Sequence, residues 1–150
     1  MHIGKYCTRK LITADKETGI VEAAKLMRQH HVGSLVIVSR GSNGDKPIGI
    51  LTDRDIVVEV LAEEVAVDSV AIEDIMTRTP VTVREDEDIF TTMETMRVKG
   101  VRRIPVTDSL GLVVGILTSD DLLAVIYEEM GNMVSLISHE QMEETRKRSA

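Results

Sequence analysis

The chain has 150 residues, 43% hydrophobic, 2% aromatic and 29% charged, with 18 Lys+Arg against 25 Asp+Glu and a formal net charge of -7. That length suits one ordinary domain or two very small ones, and the supply of Val, Ile, Leu and Met is enough for a packed core, which excludes a disordered or collagen-like chain. Every apolar run is short, against the ~20 residues of a membrane span or the ~7 to 15 of a signal peptide, and the lone Cys7 cannot form an internal disulfide, so a cytoplasmic protein is expected.

In chain order, residues 11 to 14 are expected as a short strand, followed by a helix whose Ile20, Ala23, Ala24 and Met27 make an apolar stripe of helical period. Leu35 to Val38 and Ile48 to Leu51 read as a strand pair joined by a hairpin loop, Ser39 to Pro47, rich in turn formers. A helix starting near Asp53 should bury Ile56, Val57, Val60 and Leu61. The pattern then recurs. Pro80 to Val83 is a strand, the acids Glu85 to Asp88 suit a helix N-terminus, and Ile89, Met93 and Met96 form the stripe. Ile104 to Val106 and Val113 to Leu117 are the next strands, and a helix from Ser119 should bury Leu122, Leu123, Val125 and Ile126. Gly131-Asn132 is expected to interrupt that helix before Val134 to Arg148 resumes it. Met130, Met133, Leu136, Ile137 and Met142 give this tail an apolar edge, either a packed turn of a solvated tail or a dimer contact.

The recurrence is an internal repeat. Gly49-Ile50-Leu51-Thr52-Asp53-Arg54-Asp55-Ile56 matches Gly115-Ile116-Leu117-Thr118-Ser119-Asp120-Asp121-Leu122 at an offset of 66, and Val32 matches Val101 at an offset of 69. The expected fold is α+β (mixed α/β): two β-α-β-β-α repeats, 1–68 and 69–130, packed about a pseudo-twofold axis, then a helical tail, 131–150.

The repeated Gly-apolar-apolar-Thr-x-x-Asp places a hydroxyl and a carboxylate where a strand runs into a helix, among unpaired N–H groups. Thr52 or Asp53, and Thr118 or Ser119, suit simple N-capping. Capping does not call for the second carboxylate, Asp55 and Asp121. Such a carboxylate can accept both hydroxyls of a ribose, at roughly 1.5 to 3 kcal/mol per charge-assisted bond before desolvation.

With both copies of this motif and Ile104-Pro105-Val106, the chain from about residue 5 to 130 resembles a tandem pair of cystathionine-β-synthase (CBS) domains, a Bateman module. The resemblance implies a non-catalytic regulatory module that binds adenosine-containing ligands: AMP, ADP or ATP, also NAD(H) or S-adenosylmethionine, with Mg²⁺ only as a nucleotide counter-ion. It implies a disc-like homodimer, and the signal is expected to pass through that dimer or to a protein effector. One implied cleft pairs Thr52 and Asp55 with Thr79, Val81, Val101, Arg102 and Arg103, with Arg54 close to Asp55. The other pairs Thr118 and Asp121 with Lys10, Ile12, Val32, Gly33 and Ser34. Asp55 and Asp121 would hold ribose, Thr52 and Thr118 phosphate or ribose, backbone beside Val81 or Ile12 the adenine, and Arg102 and Arg103 phosphate. Unequal sites are expected, because the second cleft has Gly33-Ser34 for Arg102-Arg103, Asp120 for Arg54, and Lys10 as its one matched cation. Val36 in place of Pro105 should affect strand shape more than ligand chemistry.

Plainer roles stand beside these. Arg102 and Arg103 could face solvent, and His30-His31, adjacent with no Cys or carboxylate cluster, suit a surface role better than a metal pair. Cys7 has no matched base, and no phosphate loop, H-E-x-x-H, G-x-S-x-G or G-x-G-x-x-G occurs, so no enzyme is expected. Acidic balance and scarce aromatics leave only weak, salt-sensitive nucleic-acid binding as an alternative, besides a ligand-free dimerisation scaffold.

Overall fold

The computed structural model describes residues 1–149. Repeat 1 consists of β1 (Thr13–Ala14), α1 (Ile20–His30), β2 (Ser34–Gly41), β3 (Gly44–Thr52) and α2 (Asp53–Ile56), with a π-turn over Val57–Leu61. A short helix α3 (Ile72–Ile75) and strand β4 (Thr77–Arg78) lead into repeat 2: β5 (Val83–Arg84), α4 (Ile89–Lys99), β6 (Arg103–Thr107), β7 (Val113–Thr118) and α5 (Ser119–Arg148). Both repeats have the expected β-α-β-β-α order. In each, the leading strand runs parallel to the next one, and that strand pairs antiparallel with the third.

Apolar periodicity explains the two middle helices. Ile20, Ala23 and Met27 of α1 and Ile89 and Met96 of α4 are buried against Leu35, Ile37 and Leu51, or Ile104, Val106 and Leu117. Ala24 is exposed and Met93 half-buried, so the stripe is narrower than expected. Thr92 joins it instead, buried with its hydroxyl donating to the Asp88 carbonyl at 3.0 Å.

The two repeats exchange their leading segments. Thr8 bridges Ile116 of β7, while Ile3 and Cys7 enter the core of repeat 2. Reciprocally, β4 pairs with Gly49 and Ile50 of β3, and Ile72, Ile75 and Met76 pack on the core of repeat 1. The motif glycines admit these segments. A Cβ on Gly115 would lie 2.8 Å from Cys7 Sγ and 3.0 Å from the Thr8 carbonyl oxygen; one on Gly49 would overlap Met76 Sδ.

Several expectations are corrected. The Ser39–Pro47 loop is mostly strand: β2 and β3 stay paired out to Gly41 and Gly44, leaving Ser42-Asn43 as the turn. Strand pairing starts later than expected in both repeats, at Thr13 and Val83 rather than at residues 11 and 80. After α2 the Ala62 N–H reaches back to the Val57 carbonyl, five residues away, and the wider turn leaves Val60 buried but Val57 and Leu61 exposed. Leu123 is exposed as well. Gly131-Asn132 does not interrupt α5, which runs unbroken over 30 residues. Glycine lowers helix propensity by about 1 kcal/mol, but it stops a helix only where the backbone turns left-handed, and Gly131 does not. Among the described residues, no helix is long and apolar enough to cross a membrane.

Candidate functional site

The exchanged segments create two clefts, each walled by the leading segment and second-strand start of one repeat and by the strand-end threonine of the other. The first, about 190 Å³, is lined by Ile50 and Thr52 from repeat 1, by Thr77 and Thr79–Val81, and by Val101–Arg103 from repeat 2. The second, about 310 Å³, is lined by Ile116 and Thr118, by Thr8 and Lys10–Ile12, and by His31–Ser34 together with Val36, Arg103 and Asp120. Every residue of the first cleft has its repeat counterpart in the second, at the offsets of 66 or 69 read from the sequence.

The structure thus gathers Thr52, Thr79, Val81, Val101, Arg102 and Arg103 in one cleft and Lys10, Ile12, Val32, Gly33, Ser34 and Thr118 in the other. Arg54, Asp55 and Asp121 are not on either lining. Arg103 is on both. Beside Lys10, its one matched cation, the second cleft is also lined by Arg103 and His31. Ile50, Ile116, Thr8 and Thr77 went unassigned although all four lie in the matched repeat segments; aligning the repeats as columns would have found them. His31 carried no such signal. It holds φ +54° at the C-terminus of α1, the place Gly100 takes after α4 at φ +65°.

Thr52 and Asp55 form a reciprocal capping box: the Asp55 N–H donates to Thr52 Oγ1 at 3.1 Å, and the Thr52 N–H donates to Asp55 Oδ2 at 2.8 Å. Thr118 and Asp121 repeat it at 3.2 and 2.8 Å, and the Thr118 hydroxyl also donates to Asp121 Oδ2 at 2.7 Å. This corrects the reading that capping leaves the second carboxylate unexplained. In both boxes Oδ1 has no donor among the described residues.

The helix starts are pinned to the cleft walls. The Asp53 N–H donates to the Gly33 carbonyl at 3.0 Å, and the Ser119 N–H to that of Arg102 at 2.9 Å. Side-chain size is traded between the copies: Gly33 faces the Asp53 carboxylate, which a Cβ there would meet at 3.1 Å, whereas Arg102 faces the smaller Ser119. Val36 donates its N–H to the Ile12 carbonyl at 3.3 Å. Pro105, its counterpart, has no N–H to give the Val81 carbonyl, so the Val/Pro difference removes an inter-strand bond on the wall of the first cleft.

Thr79, on the rim of the first cleft, has φ +48°. A β-branched residue in the left-handed region stores strain of about 1–3 kcal/mol that the flanking β4 pairing and Pro80 hold in place. Among the described residues, Lys10, Arg102 and Arg103 meet no carboxylate; the arginine ion pairs lie elsewhere, as in Arg9–Glu85 at 2.8 Å and Arg40–Asp45 at 2.8 Å. No group of three or more His, Cys, Asp and Glu side chains suited to a metal ion occurs among the described residues.

Comparison with known proteins gives a consistent picture. The family model for the CBS domain matches residues 3–62 and again 72–128. An uncharacterized protein of Methanopyrus kandleri is 39% identical over 123 residues, which cover 82% of this chain and 61% of that protein. L-aspartate semialdehyde sulfurtransferase of Methanocaldococcus jannaschii is 37% identical over 111 residues, 74% of this chain but 20% of the enzyme. The chain therefore spans less than two thirds of the length of either relative. A crystallised CBS domain pair in complex with 5′-methylthioadenosine and S-adenosyl-L-methionine is 33% identical, with a TM-score of 0.73, and the match covers 84% of this chain and 99% of that one. One match to each repeat means that the chain belongs to the CBS domain family, whose domain it carries as a tandem pair.

Proposed function

We propose that this chain is a non-catalytic regulatory module that binds adenosine-containing ligands in its two clefts and passes occupancy on through a homodimer or a partner protein. The observation that carries this reading is the residue-by-residue match of the clefts, each joining apolar walls (Ile50, Val81 and Val101; Ile116, Ile12 and Val32) to a strand-end threonine and unpaired cations. Apolar walls suit a purine ring, and free Arg or Lys suits phosphate. The related pair solved with 5′-methylthioadenosine and S-adenosyl-L-methionine supports the adenosyl class. AMP, ADP and ATP fit the arginines of the first cleft, with Mg²⁺ only as their counter-ion.

In this reading the free Oδ1 of Asp55 and of Asp121 turns to the ribose hydroxyls while Oδ2 keeps the capping bond, so each carboxylate serves both roles. Exposed apolar side chains at matched positions, Val21 and Phe90, Val57 and Leu123, Leu61 and Tyr127, favour a dimer surface to which both repeats contribute.

Calorimetric titration of AMP, ADP, ATP, S-adenosylmethionine and 5′-methylthioadenosine tests the reading. Micromolar binding is expected, with AMP affinity lowered about tenfold by Arg102→Ala, the loss of one charge-assisted bond on an exposed side chain. No binding of any of the five would leave a dimerisation scaffold.

A further inference from the structure

Arg103 is the one side chain that the two clefts have in common. It opens β6 and sits opposite Thr118 of β7, on the wall of the second cleft, while its neighbours Val101 and Arg102 carry the same strand start along the first. Its repeat counterpart, Ser34, sits opposite Thr52 but borders only the second cleft. Among the described residues, Arg103 is thus the single bridging cation. That guanidinium is half-buried and has no hydrogen-bond or carboxylate partner among the described residues, so nothing in the chain commits it to one side.

Resting on the adenosine reading above, we infer that Arg103 couples the two clefts negatively for phosphorylated ligands. A guanidinium lies along one phosphate at a time, because its bidentate fork is planar and rigid. The first nucleotide to bind takes Arg103. A second in the remaining cleft then finds Arg102 and Thr52, or Lys10 and Thr118 with His31 and the acidic Asp120 beside them, but not Arg103. An adenosyl ligand with no anionic group, such as 5′-methylthioadenosine, makes no demand on Arg103, so two such ligands bind independently. The favoured mixed state has a nucleotide in one cleft and an uncharged adenosyl compound in the other, which makes the pair sensitive to the proportion of the two rather than to either alone.

Methyl NMR separates the clefts, with Val101 reporting the first and Val32 the second. The full chain is titrated with AMP, and in parallel with 5′-methylthioadenosine, before and after Val81→Trp fills the first cleft. Val101→Trp serves the same purpose if Val81→Trp does not fold. With the first cleft blocked, AMP is expected to bind the second about 5- to 150-fold more tightly than it does beside an AMP-filled first cleft, the usual span of allosteric couplings. Adding Arg103→Ser, which copies Ser34 of the other repeat, removes that gain, and for 5′-methylthioadenosine the block brings no gain, with or without Arg103→Ser. An AMP affinity at Val32 that ignores the block, or a gain that survives Arg103→Ser, overturns the coupling while leaving the adenosine reading intact. Absence of any methyl shift with either compound overturns both.

Discussion

Thr52 and Thr118 each close a strand and open a helix, and the reciprocal bonds with Asp55 and Asp121 satisfy N–H groups that would otherwise be orphaned at the cleft edge. Thr118→Ala should cost about 1 kcal/mol, read as a fall of roughly 2–4 °C in the melting temperature of a chain this long. An unchanged melting temperature would mean that the box is idle. The spacing Thr-x-x-Asp signals a helix start, but not that one carboxylate oxygen caps while the other stays free, because that depends on the side chain's conformation. The sharing of Arg103 was not legible, since it depends on two strand ends meeting in space. Cys7 makes a second residue-scale test. Burial pushes its thiol pKa up, with nearby Arg9 opposing and Glu85 and Asp121 adding to the rise. The folded state thus holds this proton more tightly than the unfolded one, so its contribution is complete below the unfolded thiol's pKa of about 8.5 and is lost as pH climbs through the higher folded value. A disulfide reagent at pH 8 is expected to label Cys7 slowly in the native chain and quickly in denaturant; equal rates would contradict the burial.

At the scale of elements, α1 and α4 were readable because their apolar residues follow the helical period and pack directly on the strands. The π-turn after α2 was not, because an apolar stripe constrains which face is buried but not whether the bond spans four residues or five. Nor was the continuity of α5, where a glycine and an asparagine in sequence looked like a stop and are simply two weak helix formers. Beyond residue 130 every described side chain of α5 is exposed except half-buried Glu143. Most helical stability comes from packing an apolar face rather than from propensity, so the exposed Tyr127, Met130, Val134 and Ile137, spaced at three and four residues, call for a covering surface. If that surface is the dimer partner, removing residues 132–150 converts a dimer to a monomer by light scattering. A truncated chain that stays dimeric assigns dimerisation to the matched helix faces of the repeats instead. Gly131→Ala bears on the same helix from the other side: it is expected to stabilise by up to about 1 kcal/mol, seen as increased helicity in circular dichroism, because the backbone there is already helical.

For the whole molecule, the decisive feature is that neither repeat owns its complete core. A unit of about 60 residues is marginal alone, and here each also lacks the segment that the other repeat's portion of the chain supplies. Ile3 is fully buried in repeat 2 though it precedes repeat 1, and its backbone N–H donates to the Glu87 carbonyl at 3.0 Å. Ile72 is fully buried in repeat 1 though it follows it. The exchange could not be read from the repeat pattern, which gives equivalent positions but not which copy of a sheet each strand joins. It predicts one cooperative unfolding transition. Ile3→Ala should cost about 2–5 kcal/mol, the usual range for emptying a buried isoleucine site. The loss should appear equally at Leu35 in repeat 1 and at Ile104 in repeat 2 when their methyl signals are followed through a urea titration, because the repeats cannot part without stripping each other's sheets. A substituted chain in which Ile104 melts at lower urea while Leu35 holds its native signal would show the repeats to be separable, and the clefts between them could then open by repeat separation rather than by local motion of the helix starts.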